Sequence, residues 1–126
     1  MKSRQSRPGA AEGPADAVTL AARLAARTVS AEAVVTAALD RIARFDPALK
    51  AFVTVDREGA IAAARRLDAA ARPVGPLHGL PVAVKDVTDT ADLRTTRGSL
   101  LFADHVPAAD DPVVARLKAA GAVVAE

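Results

Sequence analysis

The chain contains no cysteine, tryptophan or tyrosine, and only three of its 126 residues are phenylalanine. Without cysteine there is no disulfide, no thiolate nucleophile and no Cys-based zinc or iron–sulfur site, a composition that fits a reducing cytoplasm. The two histidines, His78 and His105, are too scattered among the acids to form a metal-ligand spacing, so no metal or cofactor is expected. Charge of one sign is also scarce. The formal net charge is +2, and Lys2, Arg4 and Arg7 place three positive charges in the first nine residues, which leaves the other 117 at −1. A nucleic-acid binder normally shows a basic stripe interleaved with aromatic side chains, and none is present, so no nucleic acid is expected as a direct partner. No uncharged apolar run approaches the roughly 18 residues of a membrane-spanning helix. The basic opening reaches Glu12 and Asp16 without an apolar stretch, so it does not read as a secretory signal, and residues 1–16 are expected to be a disordered basic tail.

What the chain does have is small apolar side chains. It is 51% hydrophobic, much of that alanine, so residues 17–126 suit one thinly packed domain. Ala17 to Arg27 has helical composition, with Val18, Leu20, Ala21 and Leu24 on one side. Ser30 reads as the N-cap of an amphipathic helix carrying Val34, Val35, Ala38, Leu39, Ile42 and Phe45, expected to stop near Asp46 because Pro47 follows. Ala51 to Val55 suggests a short strand. Asp56 then caps a predicted third helix through Arg72, with Ile61, Ala64, Leu67 and Ala71 facing inward.

Pro73-Val74-Gly75-Pro76 ends that helix, and the unbroken apolar run from Pro81 to Lys85 predicts a fully buried strand. Asp110 or Asp111 caps a helix from Pro112 to Ala120, Gly121 supplies a left-handed stop, and Ala122 to Ala125 predicts a second buried strand. The expected fold class is therefore α/β: N-terminal helices, then a strand-helix-strand parallel unit with a right-handed crossover. About two dozen residues, Val87 to Asp111, lie between the first strand and the last helix, long for a connection in a compact domain. They leave from the C-terminal end of a strand, where open α/β sheets bind ligands. Their threonines and aspartates also make good turns, and spacing does not separate the two uses.

Lysine is an unusual residue to finish a buried strand, since removing an ammonium from water costs several kcal/mol unless it is compensated, on the order of the values for unpaired charge. Lys85 is therefore either at the surface or held for chemistry, and a desolvated lysine can serve as a base near neutrality. His78 and His105 read as loop or packing residues, and Asp86 either orients Lys85 or caps the loop.

Gly75-Pro76-Leu77-His78-Gly79-Leu80-Pro81-Val82-Ala83-Val84-Lys85-Asp86 resembles the N-terminal hallmark of the amidase signature family. Leu93-Arg94-Thr95-Thr96-Arg97-Gly98-Ser99 is similar to the family's Thr-Thr-x-Gly-Ser segment, and Asp111 to Ala122 resembles the helix that follows. Two positions depart from the family pattern: Asp92 stands where glycine is common, and Val87-Thr88 replaces a more usual polar pair. The resemblance implies an N-terminal part of an amidase fold and a hydrolase of carbon–nitrogen bonds in small amides. It also implies a Ser-Ser-Lys triad in which Lys85 is the catalytic base. A serine hydroxyl becomes nucleophilic when such a base takes its proton, and the proton then passes to the leaving amine.

Ser99 is the sole serine after Lys85 and belongs to a different motif, so both triad serines and the Gly/Ser-rich oxyanion loop are expected to be missing by truncation. The isolated chain is expected to be inactive, with a complementing C-terminal fragment or an oligomer as candidate partners. Two other readings stay open: part of an A-type subunit of a tRNA-dependent glutamine amidotransferase, or a non-catalytic remnant or interaction module.

Overall fold

A computed structural model describes residues 15–125, so most of the expected basic tail lies outside the described residues. Three helices open the described chain: α1 (Ala17–Ala25), α2 (Ala31–Leu49) and α3 (Arg57–Asp68). Each is started by a side-chain cap. Asp16 accepts from the Thr19 amide at 2.8 Å and from its hydroxyl at 2.9 Å, Ser30 from the Ala33 amide at 3.1 Å, and Asp56 from the Gly59 amide at 2.9 Å. Strand β1 (Pro81–Val82) follows, then a 3₁₀ turn (Leu100–Phe102), helix α4 (Pro112–Ala119) and strand β2 (Val123–Val124). The strands pair in parallel, Pro81 opposite Val123 and Val82 opposite Val124, so the strand-helix-strand unit is present as expected.

One apolar cluster joins the helices to the sheet. Leu24, Val34, Val35, Leu39, Ala60, Ala64, Leu80, Val123 and Ala125 are buried together, with Ile42, Ile61 and Leu67 packed against them. The α2 stripe predicted from spacing is the one that packs, except that Phe45 is half exposed beneath the Arg44 guanidinium, 4.9 Å from its ring centroid.

Asp68, the last residue of α3, adds a contact that links two helices. Its carboxylate accepts from the Ala31 amide at 2.7 Å and the Glu32 amide at 2.9 Å, the first two of α2, beside the Ser30 cap. Helix starts leave such donors without intrahelical partners, and a negative charge there is favoured by the peptide dipoles. Replacing Asp68 with alanine removes two charge-assisted bonds and is expected to cost about 2 kcal/mol in urea unfolding; a loss below about 0.5 kcal/mol would show that solvent replaces the carboxylate.

Several boundaries differ from the expectation. Helix α2 runs past Asp46 to Leu49, because Pro47 sits in the last turn, where its missing N–H costs one bond. Lys50 ends the helix in the left-handed region, its amide donating to the Asp46 carbonyl at 2.6 Å. The Asp46 carboxylate takes the next amides, Ala51 at 2.7 Å and Phe52 at 3.0 Å, so residues 51–55 are a tied-down irregular segment and not a strand. Helix α3 ends at Asp68 and not Arg72, and α1 ends at Ala25. The first strand covers only Pro81–Val82 and is half-buried, not fully buried through Lys85, because β2 itself spans only Val123–Val124 and no strand among the described residues lies beside 83–85.

Candidate functional site

The Gly75-Pro76-Leu77-His78-Gly79 segment sets the position of β1 by crossing the end of α4. The Leu77 amide donates to the Ala120 carbonyl at 2.9 Å, Gly79 to Gly121 at 2.8 Å, and the ladder continues with Val123 to Leu80 at 2.8 Å. Gly79 and Gly121 have φ of +77° and +92°, and a Cβ on Gly121 would lie 2.8 Å from the His78 Cα. His78 is buried as a packing residue, its Nδ1 accepting from the Val74 amide at 3.1 Å. His105 packs edge-on against Phe102 at 5.8 Å, with Nε2 buried and unpartnered among the described residues. Among those residues no group of His, Asp and Glu is arranged to hold a metal ion, and no helix is long and apolar enough to cross a membrane.

Beyond Val82 the backbone carries Lys85 to the C-terminal end of the strand, on the wall of a cleft of about 590 Å³. Ala51, Phe52 and Val53 line it from one side, Ala83 to Val87 from another, and Arg97 and Gly98 close it. Lys85 is exposed and forms no ion pair among the described residues, so the burial expected from the apolar run is absent. Its side chain is solvent-exposed where it lines that cleft.

Asp86 does not reach toward the lysine as a partner; it caps the loop. Its carboxylate accepts the Thr96 amide at 2.7 Å and the Thr96 hydroxyl in a short bond, while its carbonyl accepts the Arg97 amide at 2.8 Å. Lys-Asp and Thr-Thr-x-Gly-Ser, separate in sequence, are thereby clasped together. The clasp is itself braced: the Arg97 guanidinium donates to both Asp89 carboxylate oxygens at 2.9 Å and stacks 5.2 Å from Phe102. The Asp111 carboxylate accepts the Asp89 amide at 2.9 Å instead of capping α4, and Asp110 takes the Ala91 amide at 2.7 Å and the Lys118 ammonium at 2.8 Å. Asp92, standing where glycine is common, has φ of +65°, a region that aspartate tolerates better than most residues. Ser99 caps the 3₁₀ turn by accepting from Leu101, and its hydroxyl is used in that structural contact.

Partial burial tends to raise the Asp86 carboxyl, but the Thr96 hydroxyl and the Thr96 and Gly98 amides outweigh it and hold the group below its ordinary value of 3.8. A carboxyl depressed in the folded state contributes stability above 3.8, and that contribution disappears as pH falls through the depressed value. Acid titration followed by amide NMR is therefore expected to move Thr96 and Gly98 together, with a midpoint below 3.8 that rises in Thr96→Val. A midpoint at or above 3.8 in the unmodified chain would contradict the clasp.

The parallel strand-helix-strand unit, with a lysine at the strand end and the second motif folded onto it, defines an amidase-type segment. Residues 33–125 match the model of the Amidase family, and the chain belongs to that family. It is 50% identical over 111 residues to the A-type subunit of the glutamyl-tRNA(Gln) amidotransferase of Acidothermus cellulolyticus, covering 86% of this chain and 22% of that protein. The corresponding protein of an Azoarcus species is 54% identical over 99 residues, 77% of this chain and 20% of its own length. Among solved structures, the native peptide amidase of Stenotrophomonas maltophilia superposes with a TM-score of 0.81 at 35% identity, over 87% of this chain and 23% of the enzyme. A structure of a vestigial protein complex, described as revealing the origins of an s-triazine catabolic enzyme, gives 0.82 at 35% identity over 88% and 25%. The chain thus spans about a fifth to a quarter of the length of these relatives.

Proposed function

We propose that this chain supplies the lysine-bearing segment of a cytoplasmic enzyme that cleaves carbon–nitrogen bonds in amides, with Lys85 as the proton acceptor for a serine provided by polypeptide outside these 126 residues. The observation that carries this reading is the placement of Lys85 on a cleft wall at the end of β1, its turn clasped to the second family motif through Asp86 and Thr96. The exposure of Lys85 fits the same reading: a lysine becomes an effective base when it is desolvated, so a covering polypeptide has a chemical task beyond supplying hydroxyls.

The test joins this chain to the part of the Stenotrophomonas maltophilia peptide amidase outside the matched segment and follows ammonia release from a peptide amide. Turnover by the chimera, with none by the 126-residue chain alone, supports the reading. Turnover that is unchanged in Lys85→Ala would refute it. A second reading, amide transfer by an A-type amidotransferase subunit that works with partner subunits and glutamine, is favoured by the 50% and 54% identity to two such proteins. Glutaminase activity that depends on added partner subunits would select it.

A further inference from the structure

We infer that Arg94 is a positioning residue for this site: it fixes the apolar wall formed by residues 51–53 against the loop that is clasped to the turn of Lys85. Its role in a reaction rests on the function proposed above, which gives that wall an amide substrate to hold, whereas the tether itself is made wholly within this chain.

Little else holds the wall. Ala51, Phe52 and Val53 line the cleft, yet Val53 and Val55 are 50% and 40% exposed, so apolar packing grips the segment weakly. Residues 51–55 pair with no strand among the described residues. The Asp46 carboxylate takes the Ala51 and Phe52 amides, which secures the start of the strip to the end of α2. Beyond Phe52 that anchor ends.

Arg94 takes over there with both its side chain and its backbone. Nη2 of its guanidinium donates to the Val53 carbonyl at 3.1 Å, and its own carbonyl accepts the Thr54 hydroxyl at 3.0 Å. Nη1 donates to the Ala103 carbonyl at 3.0 Å, just past the 3₁₀ turn. The residues that follow are fixed as well: the Thr95 amide donates to the His105 carbonyl at 2.9 Å, and Thr96 is the clasp partner of Asp86. Burial raises the Asp86 carboxyl, and the Arg94 charge joins the Thr96 hydroxyl and the Thr96 and Gly98 amides in holding it down. One side chain thus acts on the wall, the clasp and the far arm of the loop. A guanidinium suits this task because its planar fork carries separate donors in fixed directions, where an ammonium offers a single point. With the wall set in advance, a substrate has little ordering to impose on it. The turn of Lys85 is held separately by Asp86 and Thr96, so losing Arg94 affects binding more than chemistry.

The experiment compares Arg94→Lys and Thr54→Val with the unmodified 126-residue chain by backbone amide relaxation in NMR, and repeats both changes in the peptide amidase chimera. The heteronuclear NOE of Val53, Thr54 and Val55 is expected to fall in both variants, most in Arg94→Lys, while Ala51, Phe52 and the helices keep theirs. In the chimera, Arg94→Lys is expected to raise KM for a peptide amide about fivefold with kcat changed less than about twofold, the scale of one partly solvated charged contact. Unchanged values at residues 53–55, or losses spread over α2 and α3, would overturn the tether. A fall in kcat at constant KM would overturn the assignment to the wall, since it would place the effect of Arg94 on the lysine. Loosened residues 53–55 beside chimera turnover that ignores Lys85→Ala would remove the amidase reading and leave the tether standing; rigid residues 53–55 beside Lys85-dependent turnover would do the reverse.

Discussion

Replacing Lys85 with alanine in the chimera is expected to lower kcat/KM for amide hydrolysis by about 10⁴-fold, the scale at which triad hydrolases lose activity when a member is removed. The same substitution in the 126-residue chain is expected to change stability by less than about 0.5 kcal/mol, because the side chain is exposed and makes no ion pair among the described residues. That contrast separates a chemical role from a structural one. Lys85→Arg sharpens it: a guanidinium keeps the positive charge but cannot give up its proton in a protein, so a base role predicts no rescue. A merely electrostatic role predicts that arginine restores most of the rate. Assays of the three chimeras, each with its unfolding curve, distinguish these cases.

The largest expected change in stability belongs to Gly121→Ala. At φ of +92° an added Cβ is strained, and here it also meets the His78 Cα at 2.8 Å and the His78 N at 3.1 Å, backbone atoms that cannot rotate aside. The conformational term for a left-handed residue is about 1–2 kcal/mol. Overpacking adds about 1–3 kcal/mol, so a total of about 3 kcal/mol is expected. Gly98→Ala provides the comparison, since φ is +67° but nothing lies within 4 Å of its Cβ position. It is expected to show the conformational cost alone, about 1 kcal/mol. Urea unfolding of the two variants isolates the packing term; equal losses would mean that residues 75–79 cross the end of α4 more loosely than a 2.8 Å approach allows.

The parts of the fold legible in the sequence were those set by local chemistry. Ser30 and Asp56 stand at helix starts because each has an oxygen within reach of an amide three residues on, and Gly121 stands where a left-handed residue is needed. Two of the misplaced boundaries depend on partners distant in sequence, Asp68 for α3 and Arg94 for residues 53–54. Asp68 ends α3 while capping α2, and Phe52 to Thr54 are anchored through Asp46 and Arg94 in place of a neighbouring strand. Run length and β-branching at Pro81 to Lys85 gave no sign of how few residues would find a ladder partner.

For the site, residue type pointed to Lys85 but not to its exposure. The role of Asp86 stayed undecided because its partner, Thr96, lies ten residues on. A trace of that pairing was present in the loop itself. Its unusual length is matched by a series of aspartates whose carboxylates take backbone amides or basic side chains: Asp86, Asp89, Asp110 and Asp111. The glycine-like position of Asp92 is explained by a positive φ that only the backbone reveals.

The most direct test of the account measures the solvent access of one amine. The chain has four lysines, so acylation by a water-soluble reagent, mapped by mass spectrometry, reports on Lys85 with Lys50 as an exposed reference. In the 126-residue chain Lys85 is expected to react at a rate comparable to Lys50, and in the active chimera to be strongly protected while Lys50 is unchanged. A chimera that turns over amide with Lys85 still freely acylated, and still active afterwards, would contradict the claim that this lysine becomes the base once it is covered.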